Sequence, residues 1–191
     1  ILIQIIRFIK KKYTKLISFS PPYIYKYDQS LKKLNFIKLR SYPTKTYIVD
    51  LLKPEQELFK KLRGNWRNGL KKGLKLAKAN EINDMGIIKN ILMEYNNYAI
   101  NLSFIPINNE KCMNWLFNNS ENNGLLSLKI YQASSLKEPE NNLGSIGVLV
   151  FKDKALYLFG FTNDMGRKFQ ANTLLLWHAI IESKTKGLKE F

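Results

Sequence analysis

Residues 155–187, ALYLFGFTNDMGRKFQANTLLLWHAIIESKTKG, lay out an apolar strand (155–161), a polar glycine-bearing loop (162–172) and an amphipathic helix (173–187) that stops at Lys186-Gly187. The first turn of such a helix has backbone amides without intrahelical acceptors and carries the positive end of the macrodipole. Gly166 allows close approach to the loop, and Arg167 and Lys168 add positive charge beside it. Strand, loop and helix N-terminus in this order suit an anionic group held at the end of a strand.

A second informative block is TYIVDLLKPEQELFKKLRGNWRNGLKKGLKLAK, residues 46–78. It predicts a strand from Thr46 to Leu51 and a helix opening at Pro54, a residue that loses nothing in a first turn because it lacks an amide hydrogen. Glu55 and Glu57 sit near the positive end of that helix. Leu58, Leu62, Trp66, Leu70 and Leu74 recur at a spacing near four and predict one buried edge. Gly64, Gly69 and Gly73 each cost about 1 kcal/mol relative to Ala in a helix interior, so a break is expected around Gly64.

Working outward, Asp84 is placed to cap a helix running to Ala99, with Ile87, Ile88, Ile91, Leu92, Tyr95 and Tyr98 facing inward. A further helix is expected over 109–118, with turn chemistry at 118–124. Strands follow at 125–132, 144–151 and 155–161, the last two joined by the turn Lys152-Asp153-Lys154, with a polar loop over 134–142. Before Thr46, the pattern gives a helix over 1–12, a short strand over 15–19 stopped by Pro21 and Pro22, a helix over 28–34 and a strand over 35–39. The element order is that of an α+β protein.

Charge is unevenly placed. Residues 1–80 carry 20 Lys and Arg against 4 Asp and Glu, whereas residues 81–191 carry 11 of each, so the whole excess of +16 lies in the first 80 positions. Such asymmetry fits a polyanionic partner or an anionic membrane surface, and equally a set of solvated lysine-rich helices. Arg63, Arg67, Lys71, Lys72, Lys75 and Lys78 concentrate on the predicted helix 62–78, and Arg67, Lys71, Lys75 and Lys78 fall on one face. That stripe can track phosphates or simply solvate the helix. Cys112 is the single cysteine, which excludes an intrachain disulfide and permits a cytoplasmic location. The apolar start ILIQIIRFI is too short to span a membrane, and its lysines follow rather than precede it. The chain begins with Ile and ends at KGLKEF, and it reads as a fragment cut at both ends.

The blocks 157–187 and 46–78 together resemble the Fem family of peptidoglycan aminoacyltransferases and its BioF2-like GNAT relatives. The likeness lies in the Tyr-containing strand, the polar loop, the aliphatic run ending in Trp177 and the Lys-Gly stop, preceded by the Asp50-Leu51 strand end and the Trp66-Arg67-Asn68 step. The resemblance implies a GNAT-like acyltransferase domain at 46–191, truncated at its C-terminal end. The closing part of a preceding GNAT-like domain would then occupy 1–45.

By the same resemblance, an amino acid passes from aminoacyl-tRNA to the amine of a cell-wall precursor peptide by direct attack, in the cytoplasm and without a cofactor or metal. The basic stripe would meet the tRNA. Tyr157, Gly166, Arg167, Asn172 and Asn101 become the candidate substrate contacts. A GNAT acyltransferase using acyl-CoA on a small-molecule or polysaccharide amine is the alternative, and a non-catalytic nucleic-acid-binding module a second. Two departures matter. Aligned on Phe104, the chain offers Asn101 and Ser103 where family members often place an arginine for the precursor's phosphate, and the family's functional lysine would fall beyond Phe191. No Ser-His-Asp or Cys-His constellation is apparent, and the sole histidine, His178, reads as a helix residue rather than a base.

Overall fold

The computed structural model of the chain describes residues 46–103 and 126–191. The elements expected before Thr46, the helix and turn expected within 104–125, and Cys112 lie outside the described residues. The chain divides into two units, Ile1–Thr46 and Tyr47–Phe191.

Residues 46–49 are extended but form no regular strand. They pair instead with the end of the chain: the Val49 amide donates to the Phe191 carbonyl at 2.9 Å, the Phe191 amide returns to Val49 at 3.0 Å, and the Leu51 amide donates to Lys189 at 2.9 Å. Helices α1 (Glu55–Lys61) and α2 (Gly64–Leu76) follow, separated at Leu62 and Arg63 by two residues in extended conformation, so the break expected at Gly64 is present. The break also splits the expected apolar edge. Leu58 and Leu70 are buried, whereas Leu74 is 55% exposed and Trp66 37%, so within α2 the expected edge is buried only at its middle residue.

Helix α2 ends two residues before the helix end expected at Lys78 and the chain enters β1 (Ala77–Ile82), so Lys78 stands on a strand and not on the basic helix face. Helix α3 (Met85–Asn101) begins as expected, with the Asp84 carboxylate accepting from the Ile87 amide at 2.9 Å. Ile88, Ile91, Tyr95 and Ala99 are buried, while Ile87, in the first turn, is exposed. Strands β2 (Leu126–Ser135), β3 (Asn142–Phe151) and β4 (Lys154–Thr162) complete an antiparallel sheet in the order β1-β2-β3-β4. The Lys152-Asp153 turn joins β3 and β4, with Lys152 at φ 55°.

The loop expected over 162–172 contains a short helix, α4 (Asp164–Phe169), and the final helix α5 (Ala171–Thr185) starts two residues earlier than the sequence suggests. Alternation along the strands divides the apolar side chains between two faces. Tyr131, Ala133, Leu143, Ile146 and Val148 meet Leu70 of α2 and Ala171, Leu174, Leu175 and Ala179 of α5. Leu128, Ile130 and Phe159 meet Ile88, Ile91 and Tyr95 of α3 on the other. The described residues therefore form an α+β fold, a four-stranded antiparallel sheet with helices on both faces. None of their helices is long and apolar enough to cross a membrane.

Candidate functional site

Among the described residues the sheet order leaves β4 at one edge, and only its first residues are covered there, where the Ala155 amide donates to the Glu190 carbonyl at 2.8 Å. Further along β4 a cavity of about 340 Å³ opens between the end of α3 and the α4–α5 elbow. Tyr98 and Phe161 form its aromatic wall, with ring centroids 6.1 Å apart. Tyr157 and Gly160 line it from β4, and Thr162, Arg167, Gln170, Asn172 and Thr173 supply the polar side.

The elbow owes its position to close packing. Asn163 caps α4 by accepting from the Gly166 amide at 2.7 Å, and its own side-chain amide donates to the Asn142 carbonyl at 2.7 Å. Gly166 is buried against β3, where a Cβ would overlap the Leu143 carbonyl. From the other side, Gly73 of α2 brings the basic helix against the elbow, since a Cβ there would stand 3.4 Å from the Gln170 and Phe169 carbonyls. Gln170 takes the left-handed conformation, φ 60° and ψ 33°, that turns α4 into α5, and no side chain caps α5. Asn172 and Thr173, in the first turn of α5, line the polar side of the cleft, and the amides of that turn have no intrahelical acceptor.

The sequence candidates separate on this geometry. Tyr157, Gly166, Arg167 and Asn172 all line the cavity. Gly166 does so as a packing residue, its amide already engaged by Asn163, so close approach serves the seating of α4 rather than a ligand. Arg167, at the cavity's wall, donates to the Thr162 carbonyl at 3.0 Å and pairs with the exposed Asp164. Asn101, exposed at the last residue of α3, is not among the cavity's walls. Tyr98 stands in its place, and like Gly160 and Thr173 it carries no local signal that would single it out from sequence. Partial burial, reinforced by Tyr95 and Tyr98, pushes the phenol of the 40% exposed Tyr157 above its ordinary pKa, and like any tyrosine it is a protonated hydrogen-bond donor at neutral pH.

His178 lies two turns along α5, 3.3 Å from the Glu182 carboxylate and edge-on to the Tyr131 ring at 5.5 Å. It takes no part in the cleft, in line with a structural role. Among the described residues no cluster of His, Cys, Asp or Glu could hold a metal ion.

The basic stripe is also divided. Lys71, Lys72 and Lys75 of α2 are exposed, as are Arg63 before it and Lys78 on β1. Arg67 is instead turned back onto the interhelix break, where one guanidinium nitrogen donates to the Lys60 and Leu62 carbonyls at 2.8 Å each. It closes the C-terminus of α1, as cations near helix ends do. Arg67→Gln is therefore expected to lower stability by about 1 kcal/mol in urea titration, the usual scale for such hydrogen bonds, while Lys71→Gln and Lys75→Gln leave the midpoint unmoved. Equal midpoints for all three variants would return Arg67 to the solvated face.

No protein-family model matches the chain, and no curated protein matches it. Among solved structures, the chain is similar to the crystal structure of FemX, with a TM-score of 0.64 at 12% sequence identity, over 85% of this chain and 58% of that one. The likeness is one of fold, and the chain corresponds to less than two thirds of FemX's length.

Proposed function

We propose that the protein is an acyltransferase of the Fem type, which joins an amino acid carried by aminoacyl-tRNA to the amine of a cell-wall precursor peptide in the cytoplasm. The observation that carries this reading is the cleft along β4, with a neutral phenol at one side and the uncapped N-terminus of α5 with Arg167 at the other. Fold likeness to FemX supports the same class. In the reaction the amine lone pair attacks the ester carbonyl carbon. The new C–N bond forms as the ester C–O bond breaks, and the terminal ribose oxygen leaves with the proton that the amine releases. A donor at the developing oxyanion and fixed orientation of the two reactants are what a site must supply, and no covalent nucleophile or cofactor is called for. Tyr157 is suited to the first role, and Arg167 and Asn172 to holding anionic groups.

A second reading, transfer from acyl-CoA to a small-molecule or polysaccharide amine, is favoured by Asn101 and Ser103 standing where a phosphate-binding arginine is expected. Only a tRNA is large enough to reach the cleft and the exposed lysines of α2 together. In the full-length protein, Lys71→Gln with Lys75→Gln should weaken aminoacyl-tRNA binding and flatten its salt dependence by about 2 in the log–log slope, near 0.9 for each phosphate that a lysine no longer neutralises. Transfer from acetyl-CoA should be unaffected. Robust transfer from acetyl-CoA, with none from aminoacyl-tRNA, would replace the first reading by the second. Salt-sensitive tRNA binding without transfer from either donor would leave a nucleic-acid-binding module. An anionic membrane surface is a further partner for the basic half, readable by sedimentation with anionic vesicles.

A further inference from the structure

In a regular strand, residues three apart point to opposite faces, so Tyr157 and Gly160 should not meet. They do meet. The register runs from Gly147↔Phe159 to Val148↔Tyr157, which leaves Leu158 as an extra residue in β4 and turns the residues beyond it over by one step. Tyr157 and Gly160 thereby share a face, opposite Val148 and Ile146, both fully buried on the α5 side. The Tyr157 hydroxyl then comes to rest over the Gly160 backbone, 2.6 Å from where a Cβ would stand, with Ile146 Cγ2 at 2.8 Å and the Ser145 carbonyl at 3.3 Å from the same point. Any side chain at 160 would claim the volume that the hydroxyl occupies, and of these neighbours the phenol end is the one free to swing outward.

We infer that Gly160 is a positioning residue for the Tyr157 hydroxyl: the bulge at Leu158 and the missing Cβ at Gly160 together fix where that donor stands in the cleft. The inference rests on the cleft being the reaction site, as proposed above, for its functional meaning, but the contact can be tested without any ligand. Geometry of this kind decides whether a hydrogen bond to a reacting oxygen is made at all, because such bonds weaken steeply outside a narrow range of distance and angle. The raised pKa of the phenol is a spectroscopic handle on the same placement.

The test uses the full chain with tyrosine labelled at Cζ, the Tyr157 resonance being assigned by its loss in Tyr157→Phe. In Gly160→Ala the ring is expected to move into solvent, so the Tyr157 titration falls toward the ordinary value while that of buried Tyr131 stays raised. A Tyr157 titration identical in Gly160→Ala and the parent protein would overturn the inference. Thermal melting supplies a second arm in case Gly160→Ala folds poorly. Tyr157→Phe removes the displaced oxygen and should recover part of the loss in the double variant, whereas additive losses would overturn the inference. In transfer assays with aminoacyl-tRNA and a stem peptide, each single substitution should slow turnover by about tenfold and the double variant no further, as for one shared hydrogen bond. A full-rate Tyr157→Phe enzyme combined with the titration shift would support the contact and sink the reading of the cleft as the reaction site.

Discussion

Gly166→Ala is expected to destabilise the protein by about 3 kcal/mol, the upper part of the range for overpacked sites, and to lower Tm by roughly 6–12 °C for a domain of this size. The added methyl would overlap the Leu143 carbonyl oxygen and stand 2.9 Å from its carbonyl carbon, and both atoms belong to the backbone of an interior strand. No side-chain rotation relieves such a clash, so α4 has to lift off β3. Lifting it breaks the Asn163 side-chain bond to the Asn142 carbonyl and loosens the elbow that carries Gln170, Asn172 and Thr173. If the cleft is the transfer site proposed above, loss of transfer should accompany the loss of stability. Gly64→Ala is the control: nothing lies within 4 Å of its position, so the same substitution there should be neutral or stabilising by up to about 1 kcal/mol. A Gly166→Ala protein that melts with the parent would mean that α4 does not sit on β3.

The cleft is partly legible in the sequence because its two best-defined parts are local. A strand bounded by turn residues and a helix with a Lys-Gly stop can be recognised within 33 residues, and Asp84 announces the start of α3 in the same way. What escapes the sequence depends on partners far away in the chain. Ala77–Ile82, AKANEI, has no strand composition, and its first two residues read as the end of a lysine-rich helix. It becomes β1 through pairing with β2, from Ala77↔Ser135 to Ile82↔Ile130. The ends of β2 and β3 reach Ser135 and Asn142, into the stretch whose serines and asparagines read as loop, because each pairs with a neighbouring strand. Helix α4 is hidden by its length, six residues carrying a glycine, although Asn163 three residues before Gly166 is a cap signal that could find it. Tyr98 and Gly160 enter the cleft through the placement of α3 and a one-residue bulge, neither of which has a pattern in sequence. Arg67 belongs to the solvated stripe by its spacing, and leaves it because the break at Leu62 exposes carbonyls within its reach.

Glu81→Gln should cost about 2 kcal/mol at neutral pH, and the difference from the parent should shrink to near zero by about pH 2. Glu81 sits at the junction of β1, β2 and the end of α5, with Lys129 at 2.7 Å and Lys186 at 2.9 Å, and Lys186 also pairs with Glu182. Burial alone would raise its carboxyl, but the ammonium groups of Lys129 and Lys186, both within hydrogen-bond distance, more than offset that and hold it at about 2 instead of the ordinary 4.5. A carboxyl depressed by folding binds fewer protons in the native state than in the unfolded one. Its stabilisation is therefore complete above about pH 4.5 and is lost as pH falls through 4.5 toward 2. The full shift would correspond to roughly 3 kcal/mol, and partial exposure together with the hydrogen bonds that glutamine retains reduce the measured cost. None of the four residues lines the cleft, so on the proposed function a folded Glu81→Gln protein should transfer at the parent rate at pH 7, separating this network from the cleft at the other end of α5. Chemical denaturation at intervals from pH 7 to pH 2.5 is the measurement. Stability curves for the two proteins that run parallel across that range would show that Glu81 is not ionised by its lysine partners, and β1 would then have to be held to α5 by apolar packing alone.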